Sequence, residues 1–156
     1  MLQLRQPTTH RRRRDAHLLR GSGPALLMLH GHPQTSATWH KVAPALAQHF
    51  TLVLADLRGY GDSAKPAGDA DHANDSKRVM ATDMLAAMRE LGYATFLVLA
   101  LWGERGVVHR CFKPLDEWQR VASDVRGHPM PCGHYIAEEA PDRLLADVLP
   151  FLLGGR

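Results

Sequence analysis

The sequence predicts an α/β fold built on a mostly parallel sheet flanked by helices. Three observations carry that expectation. Continuous apolar runs of strand length occur at residues 25–29, 51–55 and 96–102, and such runs suit strands covered on both faces. Between them, residues 36–48 and 76–91 place apolar side chains at helical spacing. The resulting alternation of strand and helix is the pattern of parallel crossovers.

A chain of 156 residues, 45% hydrophobic and 22% charged, fits one globular domain with a real core. No stretch approaches the roughly 20 apolar residues of a membrane span, so no membrane partner is expected. The start is basic but lacks the apolar core and small-residue cleavage site of a signal peptide. Cys111 and Cys132 do not make a disulfide framework, which points to the cytoplasm.

The net charge of +3 is unevenly spread: residues 1–20 hold six of the 19 basic residues and one of the 16 acidic ones. The organisation expected is a basic N-terminal arm, 1–20, and a domain, 21–156, that is slightly acidic. Arg11–Arg14 can meet an anionic surface or stand solvated. With no aromatic interleaving and no nucleic-acid module beside it, the solvated arm is preferred and no nucleic-acid partner is expected.

Gly21-Ser22-Gly23-Pro24 is a turn that launches the first strand, 25–30. That strand stops at His30-Gly31-His32-Pro33, where Gly31 permits a backbone other residues resist and Pro33 stiffens the exit. Such a turn is either purely structural or aims backbone N–H groups, that of His32 above all, at a developing oxyanion. Trp39, Val42, Ala43, Leu46 and Ala47 give the next helix its apolar face, and Pro44 splits it into a short turn and a helix proper.

Residues 51–55 form the second strand and end at Asp56. Asp56 and Arg58 then lie at the sheet's C-terminal edge, where they either hold the glycine-dense turn Asp56–Ser63 or border a site. A polar loop spans 64–75 with three aspartates. Ser76 caps a helix with Met80, Met84, Met88 and Leu91 inward and Gly92 as its stop. The methionine stripe reads as core. The run 96–102 is a third strand, and 115–122 a short helix. His128 to Cys132 is extended and must be an edge strand, because Pro129 and Pro131 remove two ladder donors. Pro141 opens a last helix, with Leu144, Leu145, Val148 and Leu149 inward, that Pro150 is expected to end or kink.

These motifs together resemble the α/β-hydrolase superfamily, and within it the haloacetate (fluoroacetate) dehalogenase branch. The matching stretches are Leu29 to Thr35 with Trp39, Ala55 to Ser63, Ser76-Lys77-Arg78, and Gly133-His134-Tyr135-Ile136-Ala137-Glu138-Glu139-Ala140-Pro141. Epoxide hydrolases and haloalkane dehalogenases share much of the pattern. The resemblance implies an aspartate nucleophile that forms an ester, and a histidine-activated water that hydrolyses it. It implies that His134 is the general base, and that Gly31, His32 and Pro33 form the oxyanion or substrate cradle, with the His32 N–H as half of it. No cofactor or metal is implied.

The departure from the family lies in the middle of the chain. No Gly-x-Asp-x-Gly or Gly-x-Ser-x-Gly elbow occurs. Phe96-Leu97-Val98 runs directly into Leu99-Ala100-Leu101-Trp102-Gly103-Glu104, the family's later strand. The expected architecture is therefore a truncated α/β-hydrolase fold with no cap domain, its junction between Val98 and Leu101. The triad acid belongs to the missing region; Glu104 and Asp116 are candidate substitutes, with a surface role preferred for each. Cys132, two residues before His134, reads as a small buried hydrophobe rather than a nucleophile.

Three functions follow: an impaired haloacid hydrolase, a non-catalytic remnant or binding and oligomerising module, and a weak esterase or epoxide-hydrolase-like enzyme. The partner of an active form is a small haloacid or ester. Faces that lost their neighbours should favour self-association. The strands are expected to pair in parallel in the order 51–55, 25–30, 96–102, 128–132, with His32 and His134 at one edge.

Overall fold

A computed structural model describes residues 16–19, 21, 23–68, 70, 76–93, 98–111, 113–119 and 125–154. Arg11–Arg14, the three aspartates of the 64–75 loop, Phe96-Leu97 and the end of the 115–122 helix lie outside the described residues.

The first sheet has the strand order β1-β3-β2. β2 (Ala25–Leu29) and β3 (Thr51–Ala55) pair in parallel, from Ala25 opposite Thr51 to Leu29 opposite Ala55. β1 (Ala16–Leu19) adds an antiparallel strand on the far side of β3, within the segment read as a basic arm. β2 shows why its sequence is continuously apolar. Leu26 and Met28 join one hydrophobic cluster, Leu27 and Leu29 the other, so both faces are covered.

The helices supply those covers. On one face a 3₁₀ segment, Ser36–Lys41, leads into α1 (Ala43–Leu46), the two pieces implied by Pro44. Val42, Ala43 and Leu46 pack there with Leu144, Leu145, Val148 and Leu149 of α6 (Pro141–Gly154). On the other face lies α2 (Lys77–Glu90), capped by the Ser76 hydroxyl, which accepts the Val79 N–H, and followed by Gly92 at φ +89. Its Met80 and Met84 pack with Ala55 and Leu57, which makes the methionine stripe core.

The second sheet pairs β4 (Val98–Gly103) in parallel with β5 (Val125–Met130), in register from Val98–Val125 to Gly103–Met130. Around it lie α3 (Val107–Cys111), which the sequence did not suggest, and α4 (Pro114–Gln119), which starts one residue before the short helix expected at 115–122, while α5 (Ile136–Glu139) packs on the 3₁₀ segment and α6. β5 begins three residues earlier than the extended stretch read from the prolines. It has a single ladder neighbour, the position a strand containing Pro129 can hold.

Two expectations need correcting. The four strands do not form one ladder: β2 and β4 are not hydrogen-bonded, and the sheets meet through side chains, Leu26 and Met28 sharing a cluster with Leu101, Met130 and Cys132. Each ladder is complete over its own five or six residue pairs, so backbone pairing alone does not force a merger. Pro150 does not end α6, which continues to Gly154. Contacts beyond the proline hold the last turn: Leu152 packs on the core, and the Phe151 ring lies 5.4 Å below the Arg126 guanidinium carbon.

The facing of α2 is testable by paired truncations. Met84→Ala empties a buried site and is expected to cost about 2–5 kcal/mol in urea unfolding. Leu85→Ala, at a side chain 41% exposed, should stay within about 0.5 kcal/mol of wild type.

Candidate functional site

The C-terminal ends of β2 and β3 are locked together before any catalytic group is placed. His30 is buried; its Nε2 accepts the Leu57 N–H at 3.0 Å, so Nδ1 carries the proton and donates to the Gly31 carbonyl. Asp56 is 4% exposed, with Oδ1 taking the Ser36 N–H at 2.6 Å and Oδ2 the Asp62 N–H at 2.9 Å. Burial alone would raise its pKa, but these bonds outweigh burial and hold the carboxyl below its ordinary value. A Cβ at Gly61, whose φ is +47, would lie 1.8 Å from Asp56 Oδ2. Of the two readings left open for Asp56, the geometry favours the holder of the turn.

Arg58 is spent in the same way. Its Nε and Nη2 donate to the two carboxylate oxygens of Asp83, both at 2.8 Å, tying the turn to α2.

Gly31 and His32 sit beyond this lock. Gly31 is not at positive φ, so the expectation of a backbone reserved for glycine does not hold. Gly31 lies beside His134 all the same: a Cβ there would be 4.0 Å from His134 Nε2, an ordinary van der Waals contact. His32 turns its ring to Tyr60, with Nδ1 2.8 Å from the hydroxyl, and among the described residues nothing takes its backbone N–H. Pro33 is exposed in the same turn.

His134 approaches from the other sheet. Its Nε2 lies 2.5 Å from the His32 carbonyl oxygen. A carbonyl only accepts, so Nε2 carries the proton in this conformation. Use of Nε2 as a base requires the ring to leave that oxygen and the proton to move to Nδ1. His32 and His134 thus share one edge, as expected.

Three neighbours shape the His134 loop. Glu139 accepts the Gly133 N–H at 2.6 Å and the Tyr135 N–H at 3.0 Å. Those two bonds lower its pKa. Gly103, at the end of β4, comes so close that a Cβ would lie 1.5 Å from the Gly133 carbonyl oxygen. The Arg105 N–H donates to Cys132 O at 3.1 Å. Cys132 itself is 2% exposed in the core, and burial pushes its thiol up, away from thiolate chemistry.

Glu104 and Asp116 are exposed, and among the described residues neither bonds His134. Among the same residues, no group of three His, Cys, Asp or Glu is placed to hold a metal. Tyr60, Gly103 and Glu139 were given no role from sequence. Glu139 alone had a signal, an acid in the first turn of a helix just after the loop it bonds. Tyr60 and Gly103 depend on contacts between distant segments.

Residues 24–100 match the family model of the α/β hydrolase fold, and the match ends inside β4, at the junction read from the sequence. The chain has the α/β-hydrolase fold. It is 59% identical to a fluoroacetate dehalogenase of Burkholderia sp. over 76 residues, 49% of this chain and 25% of that protein. It is 49% identical to a soluble epoxide hydrolase of Corynebacterium sp. over 73 residues, 47% of this chain and 24% of the relative. The chain thus spans about a quarter of these two relatives, which agrees with a shortened hydrolase fold. A candidate α/β hydrolase from Nostoc sp. PCC 7120 superposes with a TM-score of 0.73 at 25% identity, covering 88% of this chain and 94% of that one. A candidate acyltransferase from Salmonella enterica, at 23% identity, has the same TM-score over 86% and 89%, and supports the fold alone. No described helix is long and apolar enough to cross a membrane.

Two substitutions test the supports of the site. Gly103→Ala forces backbone against backbone and should cost about 1–3 kcal/mol in thermal or urea unfolding. Asp56→Asn keeps one acceptor and turns an amide against the other N–H, with an expected loss of about 1.5–3 kcal/mol at pH 7. The folded pKa of Asp56 lies below its unfolded value, so its contribution is present at neutral pH and fades as pH falls through the folded value. The variant should therefore show a shallower acid limb in stability against pH.

Proposed function

We propose that this chain carries the base and half of the oxyanion cradle of a haloacid hydrolase without the carboxylate nucleophile. Its remaining chemistry is then His134-assisted hydrolysis of activated esters. The observation that carries this reading is the meeting of His134 Nε2 with the His32 turn, 102 residues apart in sequence, beside the small Gly31. The haloacid class rests on the similarity to the Burkholderia fluoroacetate dehalogenase, which covers a quarter of that protein.

Displacing fluoride from carbon needs an aligned nucleophile, a halide site and a clamp for the substrate carboxylate. The sequence has no Gly-x-Asp-x-Gly elbow. Asp56 has both oxygens engaged, Arg58 is paired with Asp83, and Cys132 is buried with its thiol pKa raised. Residues that act as a unit lose most of their effect when one is removed. A histidine that takes a proton from water, with the His32 N–H facing the developing oxyanion, still assists an ester with a good leaving group. General-base help of this kind is worth about 10²–10⁴-fold.

Purified protein should release no fluoride from fluoroacetate and should hydrolyse p-nitrophenyl acetate weakly, with that activity lost in His134→Ala. Fluoride release by the wild type but not by His134→Ala would overturn the reading. It would show that another residue, Asp62 being the first to substitute, has become the nucleophile.

A further inference from the structure

We infer that Glu139 is a positioning residue for His134: its carboxylate folds the 133–135 backbone around itself and so aims the imidazole at the His32 turn. The inference deepens the hydrolase reading and rests on it for its catalytic consequence, though not for its geometry.

Two observations carry it. The carboxylate takes the backbone N–H on each side of His134, that of Gly133 through Oε2 and that of Tyr135 through Oε1. One planar acceptor thus fixes the His134–Tyr135 peptide plane, which flanks the histidine, and the Cys132–Gly133 plane one residue earlier, and so restricts the direction of the His134 Cα–Cβ bond. The second observation is the shape of the loop. A Cβ at Gly133 would lie 2.6 and 2.7 Å from the same two oxygens, so the carboxylate occupies space that only glycine leaves open. Gly133 and Glu139 are two halves of one fitting.

The charge around the carboxylate fits the same role. Arg105, on the turn after β4, and His134 itself both favour its ionised form, while Cys132 on the loop feels it as a like charge. Glu138, one residue earlier, faces elsewhere: it pairs with Lys41 at 3.0 Å and lies 3.1 Å from His40 Nδ1. That division makes Glu138 a matched control, a half-buried acid on the same short helix whose carboxylate bonds His40 and Lys41 and not the histidine loop.

The test follows the imidazole directly. In wild type, NMR should show an NOE between the His134 ring and the Gly31 Hα, and slow exchange of the Gly133 and Tyr135 amides. Glu139→Ala should lose both while keeping the NOEs between the His30 and Tyr60 rings, and Glu138→Ala should lose neither. In p-nitrophenyl acetate hydrolysis, Glu139→Ala should lower kcat by about 10²-fold with KM little changed, the scale of a misplaced catalytic group. Glu139→Gln keeps one acceptor and should fall between the two. Retention of the His134–Gly31 NOE in folded Glu139→Ala would overturn the inference. So would unprotected Gly133 and Tyr135 amides in the native protein, a measurement that needs no variant. A wild type with the NOE and the protection but no esterase activity would sink the hydrolase reading and support the positioning role.

Discussion

Where the two sheets meet, His134 Nε2 donates to the carbonyl of His32. No ladder joins β2 to β4, so the relative placement of the sheets rests on this edge contact and on the side-chain cluster beneath it. The cluster is non-directional, and apolar packing tolerates some sliding. A hydrogen bond does not, because its geometry fails within fractions of an ångström. The candidate site therefore lies at the seam, and its histidine helps to close the seam.

That double duty has a chemical consequence. The bond that holds the sheets at their edge also fixes the proton on Nε2, the nitrogen a hydrolase of this family would use as base. An acid at Nδ1 would relieve the conflict by favouring the other tautomer, and neither Glu104 nor Asp116 bonds the ring. Glu139 acts one step away, on the backbone beside His134 rather than on the imidazole. The loop is thus well organised while the ring's tautomer is set by a carbonyl.

The turn after β3 shows how polar groups can be used up in building. Asp56, His30 and Arg58 stand at a sheet edge where sites form, yet each is saturated by N–H groups or by a carboxylate of its own fold. A buried carboxylate with two backbone bonds makes the Ser36 and Asp62 segments meet and leaves little capacity for substrate. Its cost of burial is offset by those bonds, the usual condition for a charge in a protein interior.

Much of this was legible in the sequence, for physical reasons that act locally. The apolar runs at 25–29 and 51–55, the Ser76 cap, the Met80–Met84 stripe and the break at Pro44 depend on side-chain period and backbone propensity, which neighbouring residues determine. The motif around His134 marked the candidate base, and the order of motifs placed it at the same edge as His32. Other features depended on segments far apart in the chain. Only the tertiary structure showed that β2 and β4 stay unpaired, that α6 passes through Pro150 on the strength of Leu152 and Phe151, and that Gly31 lies beside His134 without a positive φ. The oxygens of Asp56 and Glu139 were likewise assigned by which N–H groups the fold brought to them. Sequence carries propensity and chemistry; which donor meets which acceptor across 102 residues is decided by packing.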